Sequence, residues 1–385
     1  MAIIFVAILL GIVEIGFAAA PDWTVIAPGG DIQTAIDNVS TNGGVVYLNA
    51  GTYNISSTIQ VKSKVTLMGA GRAATIINYT GTGAALEVNN TSGVYNWVIK
   101  DLRVTATQGA HAISLNYARE GRIENIKIVG AFSTTGIRFD NGSWSNRIIN
   151  CQITGITGDG IFLGPQSNAI MVSGCQITSN TGDGVQVSYA NGCQLTSNQI
   201  EGNGKGIHIA AVGGASTVFG LKINNNYFEN NPIYINEEHG YSQRVENLTI
   251  SDNYMWCNGA NYAVISDNPN GIAFGILSGN HFWGVNIAGV QAKNAGDRLL
   301  VTGARSYGPG WDTGSTKPLL DKNNDTSASS SLLVDYKKVS LDSALRLIPK
   351  SAGPSSPQEG DMYFNSTTHR LMVYDGTAWK TVTVN

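Results

Sequence analysis

The sequence predicts an all-β solenoid, a chain wound into coils of short strands. The main observation is a column of residues that recurs every 23 to 28 positions, each member between two short apolar strands. A fixed period of this size, with strand-length alternation and Gly or Asn turns, indicates one unit that buries its apolar face by stacking on its neighbours. The column consists of Leu102, Ile126, Cys151, Cys175, Asn198, Asn226, Asn253 and Asn280.

The composition agrees with a solenoid and excludes some partners. Charged residues make up 13% of the chain, and 46 of its 385 residues are glycine, against averages of about 25% charged residues and about 7% glycine. Such a composition is typical of a turn-dense β protein with a small-residue polar coat. The formal net charge of −3 gives no electrostatic reason to expect nucleic acid or an anionic membrane as a partner.

Residues 1–20 are predicted to be a secretory signal peptide. Residues 2–20 are almost wholly apolar and end in small residues. The alternative is an uncleaved anchor, because about 20 apolar residues can just span a bilayer. A membrane is expected as a partner only in that second case. Export predicts a secreted protein, or one at a cell or virion surface.

A short helix is predicted directly after the leader, at the start of a body that spans residues 21–310. Apolar residues at positions 32, 35, 36 and 39 have amphipathic-helix spacing, and Asp31 is a suitable N-cap. This helix is expected to cover the open end of the solenoid, where the first coil has no neighbour. Glycine-broken strands then begin the first coils.

Four segments carry a resemblance to a known family. They are Val25–Ile36, Gly43–Tyr53, Val65–Gly71 and Thr75–Ile77, and they are similar to the N-terminal part of the pectin-lyase-like right-handed parallel β-helix superfamily. The resemblance implies a single right-handed parallel β-helix of about ten coils. That superfamily includes polysaccharide lyases, glycoside hydrolases, epimerases, bacteriophage tailspikes and proteins without known catalysis, so the resemblance leaves the activity open.

The C-terminal part is predicted to differ from the body. Residues 311–331 form a polar linker, and residues 332–385 contain three short strands with turns between them, which predicts a small β-meander. This module resembles short terminal modules of phage tail and secreted surface proteins. Because it is too small to be stable alone, we expect it to dock on the helix or on other subunits, as in a homotrimer.

Two Gly-Asp-Gly turns are the main catalytic candidates. They are expected to place Asp159 and Asp183 one coil apart, where two carboxylates can share the acid and base work of glycosidic cleavage. His208 is a candidate to finish the proton transfer. The alternative is that Gly-Asp-Gly is a tight turn kept for its backbone conformation. One outward column of this face contains Arg138, Phe162, His208 and Tyr234, and a second column begins at His111. Residues predicted to contact a sugar on this face are Arg138, Asp140, Lys205 and Tyr234.

The spacing of these turns is similar to the motif spacing of polygalacturonases. Asp159 matches the Asp of their first motif, and Asp183 matches the first Asp of their second motif. Gly184 stands where that family has its paired Asp, and Lys205 stands where it has a His. These departures argue against pectin hydrolysis by that machinery.

A second outer face is predicted to bind glycan through aromatic rings. Flat apolar faces of sugars can pack on exposed rings, and an exposed patch of this size is unusual on a solvated surface. The alternative is that the C-terminal tail or a neighbouring subunit covers it. The predicted binding residues are Glu201, Glu229, Tyr227, Tyr254, Trp256, Trp283 and His281.

No cofactor is expected from the sequence. The five histidines lack zinc-site spacing, and no acidic triplet with a partnering arginine is visible on one face, although calcium between acidic side chains of adjacent coils stays an alternative. Cys151 and Cys175 hold the same place in successive coils, so they are either within disulfide reach or small buried hydrophobes.

Two functions remain open from the sequence alone. The first is a secreted or surface protein that binds polysaccharide along one face and cleaves it as a hydrolase or lyase. The second is a non-catalytic fibre or adhesin whose tail drives trimerisation.

Overall fold

The computed structural model is a parallel β-solenoid of about ten coils with one short helix and a small C-terminal sheet. The predicted fold class is therefore confirmed. The structure describes residues 22–210, 217–238, 244–256, 262–266, 275–283, 288–292, 299–302, 305–307, 320–322, 325–326, 350–353, 357 and 359–382. The leader predicted at residues 1–20 lies outside them.

Most coils contribute one strand to each of three long parallel sheets, numbered here in the order in which the chain enters them. Sheet 1 contains Asp22–Ile26, Gly44–Leu48, Val65–Gly69, Val98–Lys100, Arg122–Glu124, Arg147–Ile149, Met171–Ser173, Gln194–Thr196, Lys222–Asn224, Leu248–Ser251, Gly275–Ser278, Leu299–Thr302 and Leu320–Lys322. Sheet 2 contains Gly51–Ile55, Thr75–Tyr79, Arg103–Ala106, Lys127–Gly130, Gln152–Thr154, Gln176–Thr178, Gln199–Glu201, Tyr227–Glu229, Tyr254–Trp256, His281–Trp283, Arg305–Tyr307 and Asp325–Thr326.

The third long sheet follows sheet 2 in each coil. Sheet 3 contains Ile59–Gln60, Ala84–Tyr95, His111–Arg119, Thr135–Asp140, Asp159–Leu163, Val185–Val187, Ile207–Ala210, Ile233–Glu238, Tyr262–Ser266 and Ala288–Ala292. A short fourth sheet contains Ser167–Asn168, Ala190–Asn191, Thr217–Phe219 and Arg244–Glu246.

The core is a set of apolar columns inside the coils. In sheet 3, Ile113 pairs with Ile137, which pairs with Ile161, and all three side chains are fully buried. Alternate residues of each short strand point inward, so every coil covers the apolar residues of the next. A coil cannot bury its apolar residues without its neighbours.

Buried asparagines form a ladder inside the later coils. The Asn226 side-chain oxygen accepts hydrogen bonds from the backbone N–H and the side-chain amide of Asn198, both at 3.0 Å. Asn253 and Asn280 repeat the arrangement in the next two coils. Each amide therefore satisfies a backbone donor that would otherwise be buried without a partner. We call this column, Asn198 to Asn280, the first asparagine ladder.

A second asparagine ladder lies at the corner between sheets 2 and 3. The Asn203 side-chain oxygen accepts from the Asn180 side-chain amide at 2.8 Å, and that of Asn231 accepts from the Asn203 backbone N–H at 2.9 Å. All three side chains are buried. This ladder fixes the turns that carry Asp183 and Lys205.

Three of the four cysteines are described, and they lie in the interior as free thiols. Cys151, Cys175 and Cys193 are buried and unpaired, and the Cys151 backbone N–H donates to the Cys175 sulfur at 3.4 Å. The structure thus favours the second alternative, in which these residues are small buried hydrophobes in the stack. Burial raises the pKa of Cys193 to about 12, which makes its thiol inert. Cys257 lies outside the described residues.

The helix spans Ile32–Val39, as predicted. Asp31 is its N-cap, because its carboxylate accepts the backbone N–H of Thr34 at 2.9 Å. The apolar residues predicted to face inward, at positions 32, 35, 36 and 39, are all buried. They pack against the first strands of sheet 1 and so cover the apolar interior of the first coil.

By its contacts the chain divides into two units, residues 1–335 and 336–385. The second unit is an antiparallel sheet of Met362–Asn365, Arg370–Tyr374 and Trp379–Thr381. Trp379 packs edge-to-face on Tyr363 at 4.7 Å between ring centroids. This confirms the predicted small β-meander.

Replacing a ladder asparagine should destabilise the solenoid. In Asn226→Ala, the Asn198 backbone N–H and the Leu195 carbonyl lose their buried partner, so we expect the free energy of unfolding to fall by about 3 kcal/mol. Urea denaturation followed by circular dichroism measures it. Gln176→Ala, at an exposed position of sheet 2, should change it by less than about 0.5 kcal/mol. An equal effect of both variants would contradict the role of the ladder.

Candidate functional site

The candidate site lies at the corner where sheet 2 turns into sheet 3. The two Gly-Asp-Gly turns stack here, and the Gly160 N–H donates to the Asp183 carbonyl at 2.8 Å. A Cβ at Gly158 would lie 2.0 Å from the Thr134 carbonyl oxygen, and one at Gly184 would lie 2.6 Å from that of Gly206. Close approach of successive turns therefore requires the glycines, so the proposed backbone reason for this motif applies alongside any chemical one.

Asp159 and Asp183 are neighbours, as the spacing predicts. The Asp159 carboxylate accepts the backbone N–H of Asp183 at 2.8 Å. Burial raises the pKa of Asp159, and the nearby negative charge of Asp183 raises it further, against the lowering effect of that hydrogen bond. Asp159 therefore holds a proton more readily than an ordinary aspartate.

Asp183 belongs to a chain of three polar side chains. Its carboxylate lies 2.6 Å from His208 Nδ1, and His208 Nε2 lies 3.1 Å from Lys205 Nζ. Because an ammonium group can only donate, Nε2 accepts from Lys205 and the ring proton sits on Nδ1, which donates to Asp183. The Asp183 and His208 side chains are 15% and 13% exposed, so a small part of each side chain reaches solvent at this corner.

Arg138 and Asp140 form an ion pair on the coil before Asp159. Arg138 Nε donates to Asp140, and the guanidinium also lies over the Phe162 ring, 4.4 Å from its centroid. Burial raises the pKa of Asp140 despite this partner. The contacts with Asp140 and Phe162 hold Arg138 in place, and 29% of its side chain is exposed.

Two residues of this face were not among the predicted site residues. Phe162 is only 5% exposed, because Arg138 covers it. His111 Nδ1 lies 2.6 Å from the Thr135 hydroxyl, and burial together with the charge of Arg138 lowers the pKa of His111 to about 4. The outward columns of the sequence contained both positions, but nothing in the pattern distinguished them from structural residues.

The predicted position of Tyr234 beside His208 is wrong. In the structure Ile207 pairs with Ile235 and His208 pairs with Asn236, so Tyr234 lies two residues earlier in its strand. The alternation of Ile233 and Ile235 allows either register, and the strand adopts the one that follows the 28-residue step of the asparagine ladders. The Tyr234 side chain lies outside the described residues.

The predicted aromatic face has the predicted register in sheet 2. Tyr227, Tyr254 and His281 follow one another on successive coils, as do Glu229, Trp256 and Trp283 after Glu201. The Tyr227 and Tyr254 rings stack at 5.7 Å with 5° between their planes, whereas Trp256 and Trp283 lie 6.3 Å apart and are tilted by 42°. The tryptophans are 39% and 45% exposed.

Within the described residues, no group of three or more His, Cys, Asp or Glu side chains is arranged to hold a metal ion. None of the helices in that same part of the chain is both long enough and apolar enough to span a bilayer.

The fold and the site define a parallel β-helix protein with ionisable side chains gathered at one corner. More particularly, the chain belongs to the family described as the right handed beta helix region, whose model matches residues 84–232 and 135–305, together more than half of the chain. No curated protein matches the sequence.

Several solved structures are similar to this chain. The Agl-KA catalytic domain is 16% identical with a TM-score of 0.58, covering 75% of this chain and 59% of its own. A double mutant of the E. coli bacteriophage HK620 tailspike in complex with pentasaccharide is 14% identical with a TM-score of 0.56, covering 78% and 63%. A GH87 alpha-1,3-glucanase from Streptomyces thermodiastaticus is 15% identical with a TM-score of 0.51, covering 79% and 68%. These likenesses show the fold. The chain spans about six tenths of the length of the Agl-KA catalytic domain and of the HK620 tailspike.

The raised pKa of Asp159 predicts a particular pH dependence of stability. The folded state favours the protonated carboxyl, so its contribution is present below the ordinary pKa of 3.8 and is lost as pH rises through the raised value. Asp159→Asn keeps the oxygen that accepts the Asp183 N–H. We expect its melting temperature to rise relative to that of the wild type between about pH 3 and about pH 7.

Asp37→Asn is the control with the opposite sign. A hydrogen bond from Lys62 lowers the pKa of Asp37, so the wild type should gain stability over this variant as pH rises across the same range. Parallel pH profiles for the two variants would contradict the assignment of a raised pKa to Asp159.

Proposed function

We propose that this protein binds polysaccharide along the outer corner between sheets 2 and 3 and hydrolyses glycosidic bonds there. The observation that carries the proposal is the contact between Asp159 and Asp183 combined with the Asp183–His208–Lys205 chain. Glycosidic hydrolysis needs two carboxyl groups in different protonation states. The two aspartates have the different surroundings that such a division of roles requires.

Asp159 is the general acid in this proposal. Its raised pKa keeps a proton available for the oxygen of the departing sugar. Asp183 is the second carboxylate, which acts on water or on the anomeric carbon from its position one coil away. His208 and Lys205 are positioning residues, because the Nδ1 proton holds the Asp183 carboxylate and Lys205 fixes the ring tautomer.

Arg138, Asp140 and Lys205 provide polar groups for the sugar hydroxyls beside the acids. Arg138 is held by both Asp140 and Phe162, so its exposed guanidinium edge requires little ordering when a ligand binds.

The similar structures support polysaccharide as the ligand class. One of them is an alpha-1,3-glucanase and another is a phage tailspike that holds a pentasaccharide. The proposal places the protein outside the cell or on a virion surface, with the apolar segment at residues 1–20 as its export signal.

A second candidate function is a non-catalytic fibre or adhesin. The observation in its favour is the separate antiparallel sheet at Met362–Thr381, which follows a β-helix similar to a tailspike. In that case the helix is a rigid spacer and the small sheet assembles a homotrimer.

Removing either carboxyl group should abolish cleavage. We expect Asp159→Asn and Asp183→Asn each to lower kcat by at least about 100-fold, because each loses its proton-transfer role while the amide keeps the shape of the side chain. The assay measures new reducing ends, and ultraviolet absorbance of unsaturated ends, over uncharged and acidic polysaccharides. Asp37→Asn, an exposed acid at the N-terminal helix, is the matched control.

Three results would contradict the proposal. Full activity in both site variants would remove these residues from the chemistry. Unsaturated products would indicate a lyase rather than a hydrolase. Lack of cleavage by the wild type, together with a trimeric mass in solution, would establish the fibre instead.

A further inference from the structure

We propose that Glu201, Glu229, Trp256 and Trp283 form a binding row for uncharged sugar residues, separate from the acidic corner and aligned with it. We call these four residues the tryptophan row. The inference deepens the proposed function and rests on it for one point, that the ligand is a polysaccharide. It adds that the polymer is long, that it lies along the solenoid axis, and that its distal residues carry no charge.

The row follows from the register of sheet 2. Its four residues occupy the same position in four successive coils, as the direct pairings of Glu201 with Glu229, Glu229 with Trp256 and Trp256 with Trp283 show. Neighbouring strands lie about 4.8 Å apart, so the row is about 14 Å long. A ligand that follows it must be an extended chain.

Part of each tryptophan side chain is exposed to solvent. The two ring planes are tilted by 42° at a centroid separation of 6.3 Å, whereas the Tyr227 and Tyr254 rings are nearly parallel. Both tryptophans are among the exposed large hydrophobic residues, at 39% and 45%. Exposed indole surface of this kind suits the C–H faces of a sugar ring.

The carboxylates of the row select against acidic sugars. Glu229 accepts a hydrogen bond from the Tyr227 hydroxyl at 2.5 Å, and Glu201 accepts one from the Gln199 side-chain amide at 2.9 Å. Each carboxylate is thereby held in place with acceptor capacity left for sugar hydroxyls. The two glutamates would repel the carboxylate of a uronic acid in the same place, whereas a neutral hexose has no charge for them to repel.

The same pattern distinguishes a glycan from a protein partner. Protein interfaces are depleted of glutamate relative to the rest of the surface, and their buried centres are apolar. Here two of the four side chains in the row are glutamates. A row of two hydrogen-bond acceptors followed by two aromatic rings along one line matches a polymer of hydroxyl groups and apolar sugar faces.

The row and the acidic corner lie along the same edge of the solenoid. Glu201 ends its strand, the chain bends at Gly202 with φ at 64°, and Lys205 follows on the other side of the corner. Asp183 lies one coil before Lys205, so Trp256 is three coils, about 14 Å, beyond Asp183. One polysaccharide chain parallel to the axis can contact both places.

The test is a binding measurement that does not depend on cleavage. The probes are immobilised uncharged glucans (an α-1,3-glucan, a β-1,3-glucan and dextran) and, as acidic counterparts, alginate and polygalacturonate. We expect the protein to bind at least one uncharged glucan more tightly than either acidic polymer. The double variant Trp256→Ala with Trp283→Ala should weaken that binding by at least about tenfold.

Two control variants separate the alternatives. Trp23→Ala removes a tryptophan that is 58% exposed on the first strand, and it should leave binding unchanged. Asp183→Asn should abolish cleavage and keep glucan binding, so that failure of the catalytic proposal and failure of the row give different results. Unchanged melting temperatures confirm that the exposed substitutions leave the fold intact.

The row is overturned by any of three outcomes. These are absence of binding to every uncharged glucan, binding that survives the double tryptophan substitution, and loss of an oligomer in the double variant when its mass is measured in solution. The last outcome would make the row an interface between copies of the chain.

Discussion

The structure depends on hydrogen bonding between coils that are stacked in register. Every strand of the three long sheets pairs with the equivalent strand one coil away. The apolar columns form because this pairing places the inward-facing residues of successive coils next to each other. The asparagine ladders extend the same constraint to the turns, where strands cannot pair. The backbone N–H of Asn198, for instance, donates to the side-chain oxygen of Asn226 in the next coil rather than to a backbone carbonyl. The backbone thus stays satisfied where the chain changes direction.

This constraint also produces the candidate site. Asp183 and His208 are 25 residues apart in sequence, yet their side chains lie 2.6 Å apart, because coil stacking brings equivalent positions together. The second asparagine ladder runs just inside this corner, through Asn180, Asn203 and Asn231. The acids and Lys205 therefore project from turns whose inner sides are fixed by buried hydrogen bonds, and fixed groups lose little entropy when a substrate binds.

The sequence predicts the fold well because its period is visible in both apolar residues and asparagines. The column from Leu102 to Asn280, the capping helix and the C-terminal sheet all appear where the pattern places them. The Tyr234 register fails for a specific reason: strand alternation has a period of two, so it cannot distinguish registers that differ by two residues. The 28-residue step from Asn203 to Asn231 does distinguish them, since 28 residues beyond His208 lies Asn236. Side-chain partners such as Phe162 beneath Arg138 depend on rotamers that no periodicity encodes.

The electrostatic character of the corner follows from the order of its charges. Lys205, His208 and Asp183 form a row in which the imidazole ring joins the lysine to the aspartate. Asp159 lies one coil before Asp183, and burial, together with the negative charge of Asp183, raises the pKa of Asp159. The same carboxylate is therefore stabilised by one neighbour and raises the pKa of the other. Two chemically identical side chains have different surroundings because the stacking order of the coils places the histidine after the second aspartate and not after the first.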